Sequence, residues 1–238
     1  MPTLHFIEGE EGCVFAREHQ CVAVVVDALR ASATAAALLS HGAKRVLVVR
    51  DVEDAFDARG VWPEALLYGE RGGLPPAGFD HGNSPREAHY AEGHDVIFTT
   101  TNGAARIVQA WGAPQVLLGG PVNASKVVHF LQEKHLDAVL IPAGLITDPE
   151  YDAQEDRAGA ALLASRLGWP LGEGAAACRH WQARVEEEGL DALFASAPHS
   201  QSLRDLGFDE DIHLCAQVDH YPALPLARER TRHGVVVG

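Results

Sequence analysis

Residues Val22–Val26 read VAVVV, with no polar side chain on either face that a β-strand would present. A strand apolar on both faces needs cover on both sides, and in α/β proteins helices supply it. The same density recurs at Arg45–Val49 (RVLVV) and at residues 65–68, 95–98, 115–118 and 137–141. Helical patterns fall between these runs, at Ala31–Ser40 and at residues 52–58, 103–111, 123–134 and 155–167. Strand–helix–strand alternation predicts right-handed crossovers between parallel strands. Beyond Trp169-Pro170 the pattern becomes helical, at Ala175–Glu188 and then at residues 191–195 and 200–205. Residues 211–218 read as a strand or a connector, and the apolar tail as an edge strand. No low-complexity linker interrupts the chain, so residues 1–238 are read as a single α/β domain: a mostly parallel, mixed sheet with helices on each side and a helical C-terminal region.

Charge and cysteine usage exclude several roles. A formal net charge of −14 repels nucleic acid and anionic membranes, so neither is an expected partner. The four cysteines form no CxxC pair, which argues against a zinc knuckle and for reduced thiols in a cytoplasmic protein. The first residues have neither the basic nor the apolar region of a signal peptide. No apolar run approaches the roughly 18 residues of a membrane span.

Ligands of open α/β sheets collect at the carboxyl ends of the strands. Asp27 follows the first run, with Arg30 and Ser32 on the turn beyond it; Glu70 and Arg71 follow residues 65–68. Thr100, Thr101 and Asn102 follow residues 95–98, and Glu155 and Asp156 open a helix. Each has a bland explanation. Asp27 and Thr100–Asn102 could cap helices, Arg30 could be solvated, and acids suit the first turn of any helix. Together they read as chemistry. Arg30 and Arg71 offer planar forks for anions, the helix start at Thr100–Gly103 suits a phosphate oxygen, and Asp27, Glu70 and Asp156 are hard oxygen ligands for Mg²⁺. That combination is what phosphoryl transfer needs. The Gly- and Pro-rich loop ERGGLPPAGFDHGNSP at residues 70–85 is too long for a hairpin and adds Asn83 and Ser84, the latter also a helix cap before Pro85. Two common phosphate-binding motifs, the P-loop and GxGxxG, are missing, and Leu29 stands where haloacid-dehalogenase phosphatases carry a second aspartate.

The runs DALRASAT, GERGGLPPAGFDHGNSP, TTTNGA, GGPVNASKV and AGLITDPEYDAQEDRAGAALLA occur in that order over about the first 165 residues. They resemble the 2-phosphosulfolactate phosphatase family. The resemblance implies a three-layer α/β/α fold and a Mg²⁺-dependent hydrolase of coenzyme M biosynthesis. Its reaction would convert (R)-2-phospho-3-sulfolactate to 3-sulfolactate and phosphate. Carried over by position, it places Asp27, Arg30, Glu70 and Asp156 in catalysis, with Asp27, Glu70 and Asp156 on the metal. Substrate contacts would come from Ser32, Arg71, Asn83, Ser84, Thr100, Thr101, Asn102 and Glu155. The chain departs from the family pattern at Gly72, Ala104 and Pro142; the last removes a cysteine and argues against a catalytic thiol there. Two rival expectations are another phosphorylated 2-hydroxy acid as substrate and a non-catalytic small-anion binder. The 13 histidines are scattered without an HExxH motif. His81 is read as a solvated loop residue, and the four tryptophans as packing groups. Small-residue helices and the tail strand are compatible with a homodimer.

Overall fold

The computed structural model describes residues 1–148 and 151–238. The chain runs β1 (Leu4–Phe6), α1 (Gly9–Glu18), β2 (Val22–Val26), α2 (Ala31–Ser40), β3 (Arg45–Val49), α3 (Val52–Arg59) and β4 (Leu66–Gly69). A 3₁₀ turn (Pro85–Ala91) precedes β5 (Asp95–Thr99), α4 (Gly103–Ala110), β6 (Val116–Leu118), α5 (Ala124–Lys134), β7 (Ala138–Pro142) and α6 (Gln154–Leu167). The C-terminal part holds α7 (Ala175–Glu188), α8 (Leu190–Ser196), α9 (Pro198–Asp205), α10 (Asp209–Ala216), β8 (Ala227–Arg230) and β9 (Gly234–Val237).

The strands form a parallel sheet in the order β1-β7-β2-β6 and a mixed sheet in the order β4-β5-β3-β9-β8. They meet edge to edge. Leu117 of β6 bridges Leu226, just ahead of β8, and the Leu118 N–H donates to the Pro225 carbonyl at 3.0 Å. β2 and β7 are buried along their whole length, as their unbroken apolar runs require. α2 and α4 touch strands of both sheets. In the mixed sheet the two faces separate by alternation: Leu47, Val49, Leu67 and Ile97 pack toward Ala55 and Ala58 of α3, while Val46, Val48, Val96 and Phe98 join the main core. Helices therefore cover both faces, and the architecture is α/β/α in three layers.

Several elements correct the sequence reading, among them the tail strand β9, which lies between β3 and the edge strand β8 rather than at the edge. Residues 211–218 are neither strand nor connector: most of them belong to α10. Ile212, Leu214, Ala216 and Val218 alternate with polar residues and mimic a strand, yet Asp211, Ile212, Cys215 and Ala216 are the buried set, which is a helical face. β1 and α1 had no counterpart among the predicted elements. β1 is only three residues long, and its place is set by pairing with β7 rather than by its own pattern.

Candidate active site

The ends of β2, β4, β5 and β7 and the starts of α4 and α6 surround one cavity of about 340 Å³. Asp27 continues β2. Its Oδ1 accepts the Ala31 N–H at 3.2 Å and its Oδ2 the Gly103 N–H at 2.7 Å. Glu70 continues β4, with Oε1 accepting the Thr101 N–H at 2.8 Å and Oε2 the Gly73 N–H at 2.9 Å. Asp156, in the first turn of α6, accepts the Ala28 N–H at 2.7 Å and the Gly144 N–H at 3.2 Å. The N-terminal end of α4 thus holds two carboxylates through backbone N–H groups, as the positive end of a helix does. Asn102 Oδ1 accepts the Ile146 N–H at 3.1 Å and fixes the loop after β7 against the same rim.

Burial dominates the electrostatics. It pushes the Asp27 carboxyl up to about 6, against the hydrogen bonds from Ala31 and Gly103. It pushes Asp156 well above the usual range, helped by the nearby charges of Glu155 and Asp27. Glu155 is 2% exposed, and its Oε2 has no hydrogen-bond partner. Its Oε1 lies 3.5 Å from Nδ1 of His199, which enters the cavity from α9. Burial pulls the His199 imidazolium down, but Glu155, Asp27 and Glu70 outweigh it and the net shift is upward. Among the described residues the lining carries four carboxylates and that imidazole, with no lysine or arginine.

The profile of the 2-phosphosulpholactate phosphatase family matches residues 12–230. The chain belongs to that family. A probable 2-phosphosulfolactate phosphatase of Carboxydothermus hydrogenoformans is 36% identical over 207 residues, covering 85% of this chain and 84% of its own. Proteins of the same name from Thermotoga petrophila (32% identical, 85% and 87% covered) and Thermosynechococcus vestitus (33%, 85% and 87%) are also similar.

In this member of the family the motif residues fall into three groups. Asp27, Glu70, Thr101, Asn102, Glu155 and Asp156 line the cavity. Arg30 and Asn83 border a void of about 20 Å³ beside it, with the Asn83 Oδ1 unpartnered. The others are turned to structure. Ser32 Oγ bonds the Asp27 N–H and the Val25 carbonyl. Ser84 donates to Asp211 and caps the 3₁₀ turn through the Arg86 N–H. Thr100 Oγ1 accepts the Ala104 N–H and so caps α4. Arg71 donates to the Glu70 and Arg50 carbonyls and to Thr99 Oγ1.

Two expected anion receptors are therefore committed elsewhere. The Arg30 guanidinium is 2% exposed, pairs with Asp211 Oδ2 at 2.6 Å, donates to the Gly73 carbonyl at 2.9 Å, and lies over the Phe208 ring. The Thr101 and Gly103 N–H groups, at the helix start expected to meet a phosphate oxygen, hold Glu70 and Asp27 instead. His81 lies away from the cavity, stacked between Tyr68 and Tyr90. In the last motif, Pro149 and Glu150 lie outside the described residues. His199 escaped the sequence reading, because a lone histidine after a proline has no periodicity or spacing to mark it.

Whether the residues suit Mg²⁺ turns on charge as well as geometry. Among the described residues no three His, Cys, Asp or Glu side chains form a ready metal cage. The donor chemistry does fit: Asp27, Glu70 and Asp156 are hard oxygen donors whose hydrogen bonds come from backbone N–H groups. Their negative charge calls for a cation.

Proposed function

We propose that this chain hydrolyses 2-phospho-3-sulfolactate to 3-sulfolactate and phosphate, as the names of its relatives say of them, and that it uses Mg²⁺ to do so. The observation that carries the metal is the lining: an anionic ester must enter a cavity with four carboxylates and no arginine or lysine. A divalent cation held by Asp27, Glu70 and Asp156 would neutralise the phosphate and the attacking water's developing charge. The chain's own part is positioning. The α4 N–H groups hold Asp27 and Glu70 in place, Asn102 fixes the opposite loop, and α9 closes the cavity with Leu203 and Leu206. Four free, buried cysteines are in keeping with a cytoplasmic setting.

A second reading has its own observation. Arg30 and Arg71 are both engaged, so neither guanidinium is free to mark a sulfonate. Another phosphorylated 2-hydroxy acid would fit the same carboxylate cluster. The test is phosphate release from phosphosulfolactate, phospholactate and phosphoglycolate, with Mg²⁺ and with chelator, in the wild type and in Asp27→Ala. Mg²⁺-dependent release that favours the sulfonated ester and vanishes in Asp27→Ala is expected. Preference for phospholactate selects the second reading. No release from any ester, with binding intact, leaves a non-catalytic anion binder.

A further inference from the structure

The one imidazole among the described lining residues comes from outside the parallel core. Pro198 opens α9, and His199 follows it in the first turn. Its imidazole lines both the main cavity and the adjoining void, facing Asp27 and Glu70, while Glu155 of α6 holds Nδ1 at 3.5 Å. A carboxylate on Nδ1 fixes the ring and leaves Nε2 as the group offered to a ligand.

We propose that His199, oriented by Glu155, is the general acid that protonates the departing ester oxygen. The inference rests on the phosphatase reading above. The leaving group of a 2-hydroxy acid ester is an alkoxide, too basic to depart readily without a proton, and a positioned acid contributes roughly 10²–10⁴-fold to such a step. The other candidates are badly placed. Asp27, Glu70 and Asp156 each have both oxygens accepting backbone N–H groups and, in the phosphatase reading above, are the residues that would hold the metal, so none is free to hand a proton to the ester oxygen. Burial and neighbouring acids push the Tyr151 phenol up to about 12. His199 lines the same cavity with Nδ1 on Glu155, which leaves Nε2 for the departing oxygen.

The step balances without another reactant. Water attacks phosphorus, and the bond from phosphorus to the ester oxygen breaks with its electron pair left on that oxygen. The Nε2 proton passes to the oxygen and completes the product hydroxyl. The attacking water brings two protons to the new phosphate, and the neutral imidazole recovers one of them through solvent.

The test compares the wild-type chain with His199→Asn, His199→Gln and His199→Ala on phosphosulfolactate, phospholactate and phosphoglycolate. The His199 side chain is 33% exposed, so polar replacements fit without burying an unpaired group. A fall in kcat of about 10²–10⁴-fold is expected, with KM within about threefold and an unchanged melting temperature. Added imidazole should restore part of the His199→Ala rate. A kcat near wild type, a raised KM with kcat intact, or a lost kcat that imidazole leaves unrestored would overturn the role. A wild-type chain that releases phosphate from no ester defeats the phosphatase reading instead, so the two failures are distinct.

Discussion

Gly103 shows how little room the site leaves at the residue scale. A Cβ placed there would stand 2.7 Å from Asp27 Oδ2 and 2.8 Å from the Ala31 side chain. Those distances are shorter than any normal contact, and the obstacle includes the carboxylate that the Gly103 N–H itself holds. Gly103→Ala is therefore expected to displace Asp27. Misplacement by about 1 Å costs on the order of 10²-fold in rate, and overpacking costs about 1–3 kcal/mol of stability. Phosphate release and urea unfolding read the two effects separately; wild-type activity in the variant would show that Asp27 need not be held there. The TTTNG stretch was legible as a helix start because small polar residues after a buried strand suit a cap. Its partner was not legible. A single sequence shows which N–H groups are free at a helix end, but not whether a substrate oxygen or a distant carboxylate will occupy them.

At the scale of elements, the C-terminal helices are tied to the site by one buried lock. Asp211 of α10 accepts Arg30 through Oδ2 and Ser84 through Oδ1, while Arg30 also holds the Gly73 carbonyl. One carboxylate thus joins the turn after β2, the end of the 70–85 loop and α10. Asp211→Ala would leave the Arg30 cation buried and unpaired, which costs about 3–5 kcal/mol. The expected result is a lower urea midpoint, together with weaker activity because the Gly73 end of the Glu70 turn loses its anchor. Asp211→Asn keeps the shape and one acceptor and should lie between the two. A stability within about 0.5 kcal/mol of wild type in Asp211→Ala would show that the lock contributes nothing. The elements built on long apolar runs were legible because a run such as Val22–Val26 has one stable environment. α10 was not, since eight residues carry both period-two and helical patterns and the buried pairing of Asp211 with Arg30 selects the helix.

For the molecule as a whole, acidic groups remote in sequence meet at one rim of a protein that already carries a net charge of −14. Such a cluster opposes folding unless a cation joins it, and that couples metal binding to stability and pH. The Asp27 carboxyl is raised by burial from 3.8 to about 6. A group raised in the folded state contributes its full stability below 3.8, where both states are protonated, and loses it as pH rises through about 6. Chelator-treated protein should accordingly lose stability between about pH 4 and about pH 7. Mg²⁺ needs the ionised carboxylates, so its gain should grow over the same interval. At roughly 100 times its Kd a ligand stabilises by about 2.7 kcal/mol, which for a chain of this length raises Tm by about 5–10 °C. Differential scanning fluorimetry of chelated and Mg²⁺-loaded protein across that interval measures both curves. A Tm increment that is absent, or equal at the two ends, would mean that the acids at this rim do not gather around a divalent ion, and that the charge of the substrate must be met by another group.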